Sequence, residues 1–393
     1  MRKLIKNIFE VGAINFDAKL FDRLIPLPDG TSYNAYLIKG SEKTALLDTV
    51  DPSKTEVLID NLIKTGVTKI DYIIAHHGEQ DHSGSLPDML ILYPDAKIVT
   101  NPKCKAMLMD LLSIEDEKFQ MVEDGSTLSL GDKTLQFIYT PWVHWPETFS
   151  TYLPEDKILF SCDFFGSHFA TSNLFVKDYA EIYEPAKRYF AEIMAPFRPQ
   201  VNKNIEKIKD LDIEMIAPSH GPVYDKPGFI IDAYKDWSSD KVKNIVIIPY
   251  VSMHGSTAKM VTYLVDALIE RGIEVKPFEL STVDIGKLAI SLVDCATVVI
   301  GTSTVLMGPH PCAAYAAFLA NALRPNFKFA SVIGSYGWGG KTVEVLASML
   351  TNFKGQILDT VLAKGEPKEN DYLALEKLAG DILQKHKEIG IAD

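Results

Sequence analysis

His77-Gly78-Glu79-Gln80-Asp81-His82 lies one residue beyond the apolar run Tyr72-Ile73-Ile74-Ala75, and this combination fixes the class of fold. An apolar run of that length is predicted to be a buried strand, with a tight loop at its carboxyl end. Of the six loop residues, His77, Glu79, Asp81 and His82 carry side chains that bind metal ions. Alternating donors on a tight loop can face one cavity. Imidazole nitrogens mixed with carboxylate oxygens suit borderline-to-hard cations such as iron or manganese better than a thiolate-rich set would. The stretch therefore reads as half of a two-metal site.

Further donors stand at later strand ends. His144 lies in Thr140-Pro141-Trp142-Val143-His144-Trp145-Pro146, after the strand-like Leu135-Gln136-Phe137-Ile138-Tyr139. Asp163 ends Lys157-Ile158-Leu159-Phe160-Ser161-Cys162-Asp163, and His220 sits in Pro218-Ser219-His220-Gly221-Pro222 after Glu214-Met215-Ile216-Ala217. A single histidine at a strand end is ordinarily a hydrogen-bonded structural residue, but their repetition in this context makes a joint metal site the better reading. His76 and His168 have no place in that set and are expected to orient a ligand or form a polar wall. Glu79, Asp81 and Asp163, with one bridging hydroxide, nearly cancel two divalent ions, and such an anionic set favours the higher oxidation level of a redox metal. The runs Ser32–Ile38 and Thr44–Thr49 read as opening strands that carry fold rather than chemistry.

The composition turns polar around Ser238-Ser239-Asp240-Lys241, and Ile245-Val246-Ile247-Ile248-Pro249-Tyr250 then starts a second, parallel-sheet domain. The predicted division is 1–240 and 241–393. After that strand comes the turn Ser252-Met253-His254-Gly255-Ser256-Thr257, and Lys259–Leu268 has helical apolar spacing. Strand, hydroxyl- and glycine-bearing turn, then helix is an arrangement that holds a phosphate on backbone N–H groups and hydroxyls. The turn contains no lysine, so it is not a nucleoside triphosphate loop. Two more loops are expected at carboxyl ends of strands, the edge where doubly wound sheets bind ligands: Gly301-Thr302-Ser303-Thr304-Val305-Leu306-Met307-Gly308 and Gly334-Ser335-Tyr336-Gly337-Trp338-Gly339-Gly340. Asn370 onward reads as a closing amphipathic helix with Asp371 near its start and lysine near its end.

Composition narrows the function classes. A chain of 393 residues can form two domains, each with its own core. Its 40 basic against 52 acidic residues, a net charge of −12, argue against nucleic acid and anionic membrane surfaces as partners. Apolar runs are strand length, and the Met1-Arg2-Lys3 start lacks a signal-peptide core, so a cytoplasmic protein is expected. Cys104, Cys162, Cys295 and Cys312 form no C-x-x-C pair and are expected to be reduced thiols rather than disulfides or cluster ligands.

The H-x-E-x-D-H pattern of His77, Glu79, Asp81 and His82 resembles the metallo-β-lactamase superfamily, whose hydrolases usually carry a third histidine where Glu79 stands. With the second half of the chain, it is similar to the flavodiiron protein family. That resemblance implies an α/β fold: an N-terminal metallo-β-lactamase-like αββα sandwich and a C-terminal flavodoxin-like doubly wound parallel sheet. It implies a diiron centre, with His77, Glu79 and His144 on one iron, Asp81, His82 and His220 on the other, and Asp163 as the bridge. The turn Ser252–Thr257 resembles the flavodoxin loop that takes the FMN phosphate. Thr302 to Leu306 and Ser335, Tyr336, Gly337, Trp338 and Gly339 would then serve the flavin ring.

The resemblance implies an oxidoreductase that reduces dioxygen to water, nitric oxide to nitrous oxide, or both. Electrons would pass from a separate donor such as a rubredoxin, a flavin reductase or a reduced deazaflavin, through FMN, to the irons. It also implies a head-to-tail homodimer or a dimer of dimers, with Trp145, Pro146 and the loop after Gly334 near the junction. Tyr33, His168 and Tyr189 are candidates for the gas pocket, and a basic patch including Lys187 and Arg188 would help to dock an acidic donor. Two rival readings are a zinc hydrolase of the β-lactamase superfamily, which leaves Glu79 and the second half unexplained, and a flavin electron carrier with an inactive metal domain.

Overall fold

The computed structural model describes all 393 residues, which separate into two compact units: Met1–Phe190 with Phe197–Ser238, and Ala191–Pro196 with Ser239–Asp393. Besides two small two-stranded sheets, Ala13–Asn15 with Thr31–Tyr33 and Leu20–Phe21 with Ile25–Pro26, the first unit contains two large ones. One runs, in spatial order, Arg2–Ile5, Ile8–Glu10, Tyr36–Lys39, Thr44–Leu47, Tyr72–Ile74, Lys97–Thr100 and Phe119–Met121; the other runs Thr127–Ser129, Thr134–Tyr139, Phe149–Leu153, Ile158–Cys162 and Met215–Pro218. Pairing in each changes from antiparallel to parallel along that order; three donor-bearing loops leave strands with a parallel partner, Tyr72–Ile74, Ile158–Cys162 and Met215–Pro218, and the His144 loop leaves the antiparallel Thr134–Tyr139.

Strand periodicity explains the layers. Successive side chains point to opposite faces, so a strand buried on both sides reads as an unbroken apolar run. Leu47, Ile74 and Val99 join Phe137, Phe149, Ile158 and Phe160 in the core between the sheets. Their neighbours Leu46, Ile73 and Ile98 point the other way, into a second core with Leu58, Leu62, Met89 and Leu108 from the covering helices. The expected αββα sandwich follows from this two-sided burial.

The predicted opening strand Ser32–Ile38 is in fact two strands, Thr31–Tyr33 and Tyr36–Lys39, which belong to different sheets. Asn34 marks the break, because its amide donates to the carbonyls of Pro218 (2.8 Å) and Gly221 (2.7 Å) instead of leaving the backbone to one ladder. Those bonds hold the turn that carries His220.

The second unit is a parallel sheet in the order Glu274–Glu279, Lys243–Tyr250, Cys295–Val305 and Phe329–Tyr336, with Gln356–Ile357 and Val361–Lys364 continuing the far edge. The helix Ser256–Ile269 buries Met260, Val261, Leu264 and Leu268 against the sheet core that Glu369–Glu388 also covers through Leu375, Leu378 and Ile382. As expected, Asp371 sits at the start of this last helix, its carboxylate accepting from Lys368 N–H at 2.8 Å.

The second expected loop is shorter than its sequence suggests. Thr302 to Val305 continue the strand begun at Cys295, and Gly334 to Tyr336 continue the strand begun at Phe329. Thr302 pairs with Gly334 and Ser303 with Ser335, and Gly308–Pro309 folds back antiparallel on Thr304–Val305. Glycine permits that approach: a β-carbon on Gly334 would meet Thr302 O at 2.0 Å.

No helix is long and apolar enough to cross a membrane. All four cysteines are free thiols, three of them buried.

Candidate functional site

The loop from Tyr72–Ile74 does not carry all its donors in extended form. His77 and Glu79 lie on the loop, whereas Asp81 and His82 fall in a single helical turn, Gln80–Ser83. That turn matters because it rotates Asp81 and His82 away from His77 and Glu79, splitting four neighbours in sequence into two sets.

The ligand atoms of His77, Glu79, His144 and Asp163 lie within 4.8 Å of one another, and those of Asp81, His82 and His220 form a second such group. Asp163 joins them. Its Oδ2 is 3.5 Å from Nε2 of both His77 and His144, while its Oδ1 is 2.9 Å from His82 Nε2 and 3.3 Å from His220 Nε2. Glu79 Oε2 is 3.1 Å from Nε2 of His77 and of His144, and the two oxygens of Asp81 stand 3.3 Å from His82 Nε2 and 3.2 Å from His220 Nε2. All seven sequence-predicted donors therefore converge, in two sets that share one carboxylate.

The ring orientations are fixed from behind. His77 Nδ1 donates to Glu147 Oε1 at 2.7 Å, and the same oxygen accepts from Gly78 N–H at 3.0 Å. His220 Nδ1 donates to Ser32 O at 2.6 Å. With a metal ion bound, the Nδ1–H bonds would leave each Nε2 lone pair facing the cavity, the tautomer a metal ligand needs. Glu147 is the functional residue that sequence reasoning missed. It stands three residues after His144 in the same loop but 70 residues from the histidine it holds, so no spacing rule exposes it.

The electrostatics call for cations. Burial disfavours charge on Asp163, yet His82, His220 and His77 outweigh it and hold the carboxyl well below the usual carboxylate range. Burial likewise opposes, and His144 and His77 overcome, in keeping Glu79 ionised. In return, burial lowers but Asp163 and Asp81 raise His220, leaving it up at about 10. Histidine protons are the positive charge this protein can supply by itself, and bound metal ions meet the same demand. Buried Asp81 Oδ1 and Oδ2, Asp163 Oδ1 and His82 Nε2 make no hydrogen bond, which is costly for polar atoms unless something else coordinates them. A set of four imidazoles and three carboxylates, with no thiolate, fits iron.

Tyr33, His168 and Tyr189 gather on the His220 side, with ring centroids 6.0, 4.9 and 5.8 Å from that imidazole. His168 Nδ1 meets Thr31 Oγ1 at 2.9 Å, and burial holds its imidazole well below the usual range. Burial also pushes the Tyr33 phenol up to about 12. The expected basic patch is not at that place: Lys187 and Arg188 are both buried, because the last turns of the helix Tyr179–Tyr189 are enclosed on all sides, Pro185 to Tyr189 being buried in succession.

In the second unit the three expected segments meet. Thr257 Oγ1 is 3.3 Å from Ser303 Oγ and 3.1 Å from Ser335 Oγ, and Met253 N–H donates to Ser303 Oγ at 3.3 Å. Ser252 Oγ accepts from the N–H groups of Gly255 and Ala258, both at 3.2 Å, so its hydroxyl shapes the turn. Gly255 takes φ +91° ahead of the helix at Ser256. Thr302 is wholly buried and its hydroxyl is engaged by Ser303 O and His310 N–H. Leu306 and Trp338 stand 94% and 84% exposed on the same edge, with Met253 and Met307 about half exposed.

Comparison with known proteins agrees with both halves. Residues 31–221 match the family model described as ODP family beta lactamase, and residues 248–377 match the flavodoxin model. A flavo-diiron protein of Clostridium acetobutylicum is 32% identical, the match covering 97% of this chain and 98% of that protein. The chain belongs to the flavodiiron protein family. A nitric oxide reductase of Moorella thermoacetica is 35% identical over 95% of this chain and 97% of its own. The solved rubredoxin oxygen:oxidoreductase of Desulfovibrio gigas superposes with a TM-score of 0.94 at 31% identity, covering 98% of each chain. The expected fold, a metallo-β-lactamase-like unit joined to a flavodoxin-like one, is that of flavodiiron proteins.

Proposed function

We propose that this flavodiiron protein reduces dioxygen, nitric oxide or both, with electrons passed from an external donor through FMN to a diiron site. The observation that carries the proposal is Asp163 presenting one oxygen to each of two donor sets, one containing Glu79. His77, Glu79 and His144 would hold one iron, Asp81, His82 and His220 the other, with Asp163 between them. When bound, the irons supply open positions and electrons for a diatomic ligand, and FMN delivers electrons singly.

The protein's own part is placement. Glu147 and Ser32 O fix the His77 and His220 tautomers, and Glu79, Asp81 and Asp163 would offset three of the positive charges of two divalent ions. Tyr33, His168 and Tyr189 wall the His220 side. On the flavin side, Ser252 to Thr257 would take the phosphate, Ser303 to Leu306 and Ser335 to Gly339 the ring.

Names of relatives support these substrates and suggest donors: nitric oxide reductase, rubredoxin-oxygen oxidoreductase and coenzyme F420H(2) oxidase. A rubredoxin or reduced deazaflavin in the cytoplasm is thus our proposed donor. Exposed Trp338 and Leu306 at the flavin edge favour a cover by a second copy, as in a head-to-tail dimer. The test measures iron, zinc and flavin in purified protein and follows oxygen and nitric oxide consumption with a reduced donor. Two irons, one FMN and gas consumption are expected; zinc without gas reduction would overturn the reading. Turnover should fall on dilution to monomer while flavin stays reducible, and a fully active monomer would overturn the dimer.

A further inference from the structure

His76 precedes the first donor and is itself no ligand, yet it is wholly buried and fully engaged. Its Nδ1 donates to Asp48 Oδ2 at 2.7 Å, its backbone N–H donates to Asp48 Oδ1 at 2.9 Å, and its Nε2 meets Thr151 Oγ1 at 2.7 Å. Nδ1 thus carries a proton toward Asp48, while Nε2 shares a hydrogen bond with the Thr151 hydroxyl. The His76 carbonyl in turn accepts from Phe149 N–H at 3.3 Å.

These bonds cross the sandwich. Asp48 follows the strand Thr44–Leu47 and His76 follows Tyr72–Ile74, both of one sheet, whereas Thr151 and Phe149 belong to the strand Phe149–Leu153 of the other. Asp48 takes φ +55°, an uncommon conformation for a residue with a side chain. Its neighbour Thr49 completes the hold: Thr49 N–H and Oγ1–H both donate to His82 O, at 2.8 and 2.6 Å. Asp48 and Thr49 thus grip the two ends of the donor loop, His76 at one and His82 at the other.

We infer that the Asp48–His76–Thr151 strut makes His76 a positioning residue for the His77, Glu79 and His144 half of the metal centre. The argument rests on the metal reading given above. It predicts an unequal effect, because the backbone of His77 is bonded directly to His76, whereas Asp81 and His82 keep their own attachment through Thr49. Residues that orient a ligand from behind typically change metal affinity 10–100-fold.

The test uses the full chain, stripped of metal and titrated with Co²⁺, with bound flavin as an internal check. Wild type should bind two equivalents; failure to do so would overturn the metal reading and not this inference alone. In His76→Ala one equivalent should weaken 10–100-fold while the other changes little, and His76→Gln, which can donate and accept like the imidazole, should recover most of it. Thr151→Val removes only the hydroxyl and should weaken the same equivalent less, which keeps the inference testable if His76→Ala does not fold. Two unchanged equivalents in the variants, or equal weakening of both, would overturn it, as would a lowered melting temperature with no change in Co²⁺ binding.

Discussion

The two units build their candidate sites by opposite means. In the first, seven donor side chains converge at the carboxyl ends of strands, and two of the imidazoles are held from behind by a neighbour, Glu147 behind His77 and Ser32 O behind His220. In the second, a shallow edge is assembled from hydroxyls and backbone N–H groups, with apolar side chains left in solvent beside it. A site made of buried ligands fails when one atom is lost. A site made of many weak donors should degrade gradually.

That contrast can be broken at its strongest point first. Asp163→Asn removes one of the two oxygens shared between the donor sets, and we expect both metals and all gas reduction to be lost while flavin content is unchanged, as read by metal analysis and absorbance. Retention of two metals would show that the shared carboxylate is dispensable. Glu79→His is the next largest change. It should turn the donor set towards the zinc-binding pattern, so that protein produced with equal iron and zinc takes up zinc and loses gas reduction.

Glu147→Gln keeps size and shape but takes away the anionic acceptor for His77 Nδ1–H, and metal affinity should drop 10–100-fold with fold retained. On the other unit, Thr257→Val or Ser335→Ala should weaken FMN only about tenfold or less, the worth of a single hydrogen bond, and leave metal content alone. Loss of flavin as complete as the loss of metal in Asp163→Asn would erase the distinction.

The smallest effect at neutral pH is electrostatic. His386, in the last helix, is wholly buried between Thr297 and Asn244, and burial pushes its imidazole down to about 4. The folded value lies below the unfolded one, so the unfolded chain binds the extra proton between them; the stabilisation is complete above about 6.5 and is lost as pH falls toward 4. A decline of the order of 2 kcal/mol over that window is expected in denaturant melts followed by flavin fluorescence. His386→Gln should flatten it.

How much could be read in advance follows the same division. Metal donors are legible because few residue types can do the work and because strand ends are where a sandwich places them; His144, Asp163 and His220 each stand within five residues of an apolar run. What stayed hidden were groups that act on a donor rather than on the metal. Glu147 and Asp48 are ordinary acids in sequence, and only folding brings them under His77 and His76. Lys187 and Arg188 misled because charge alone does not reveal that the end of a helix is enclosed on every side. In the flavin unit the glycines and hydroxyls marked the right three segments, but the end of a strand is a weak signal: Thr302 to Val305 have β-branched side chains or a hydroxyl and extend the ladder instead of leaving it.

The oxygens of Asp163 hang from a single carbon at the end of a strand. A shift of that strand therefore moves both donor sets together, and neither can be tightened, loosened or tilted in private. Any variant that disturbs one half of the cavity through this strand should leave its trace in the spectrum of the other.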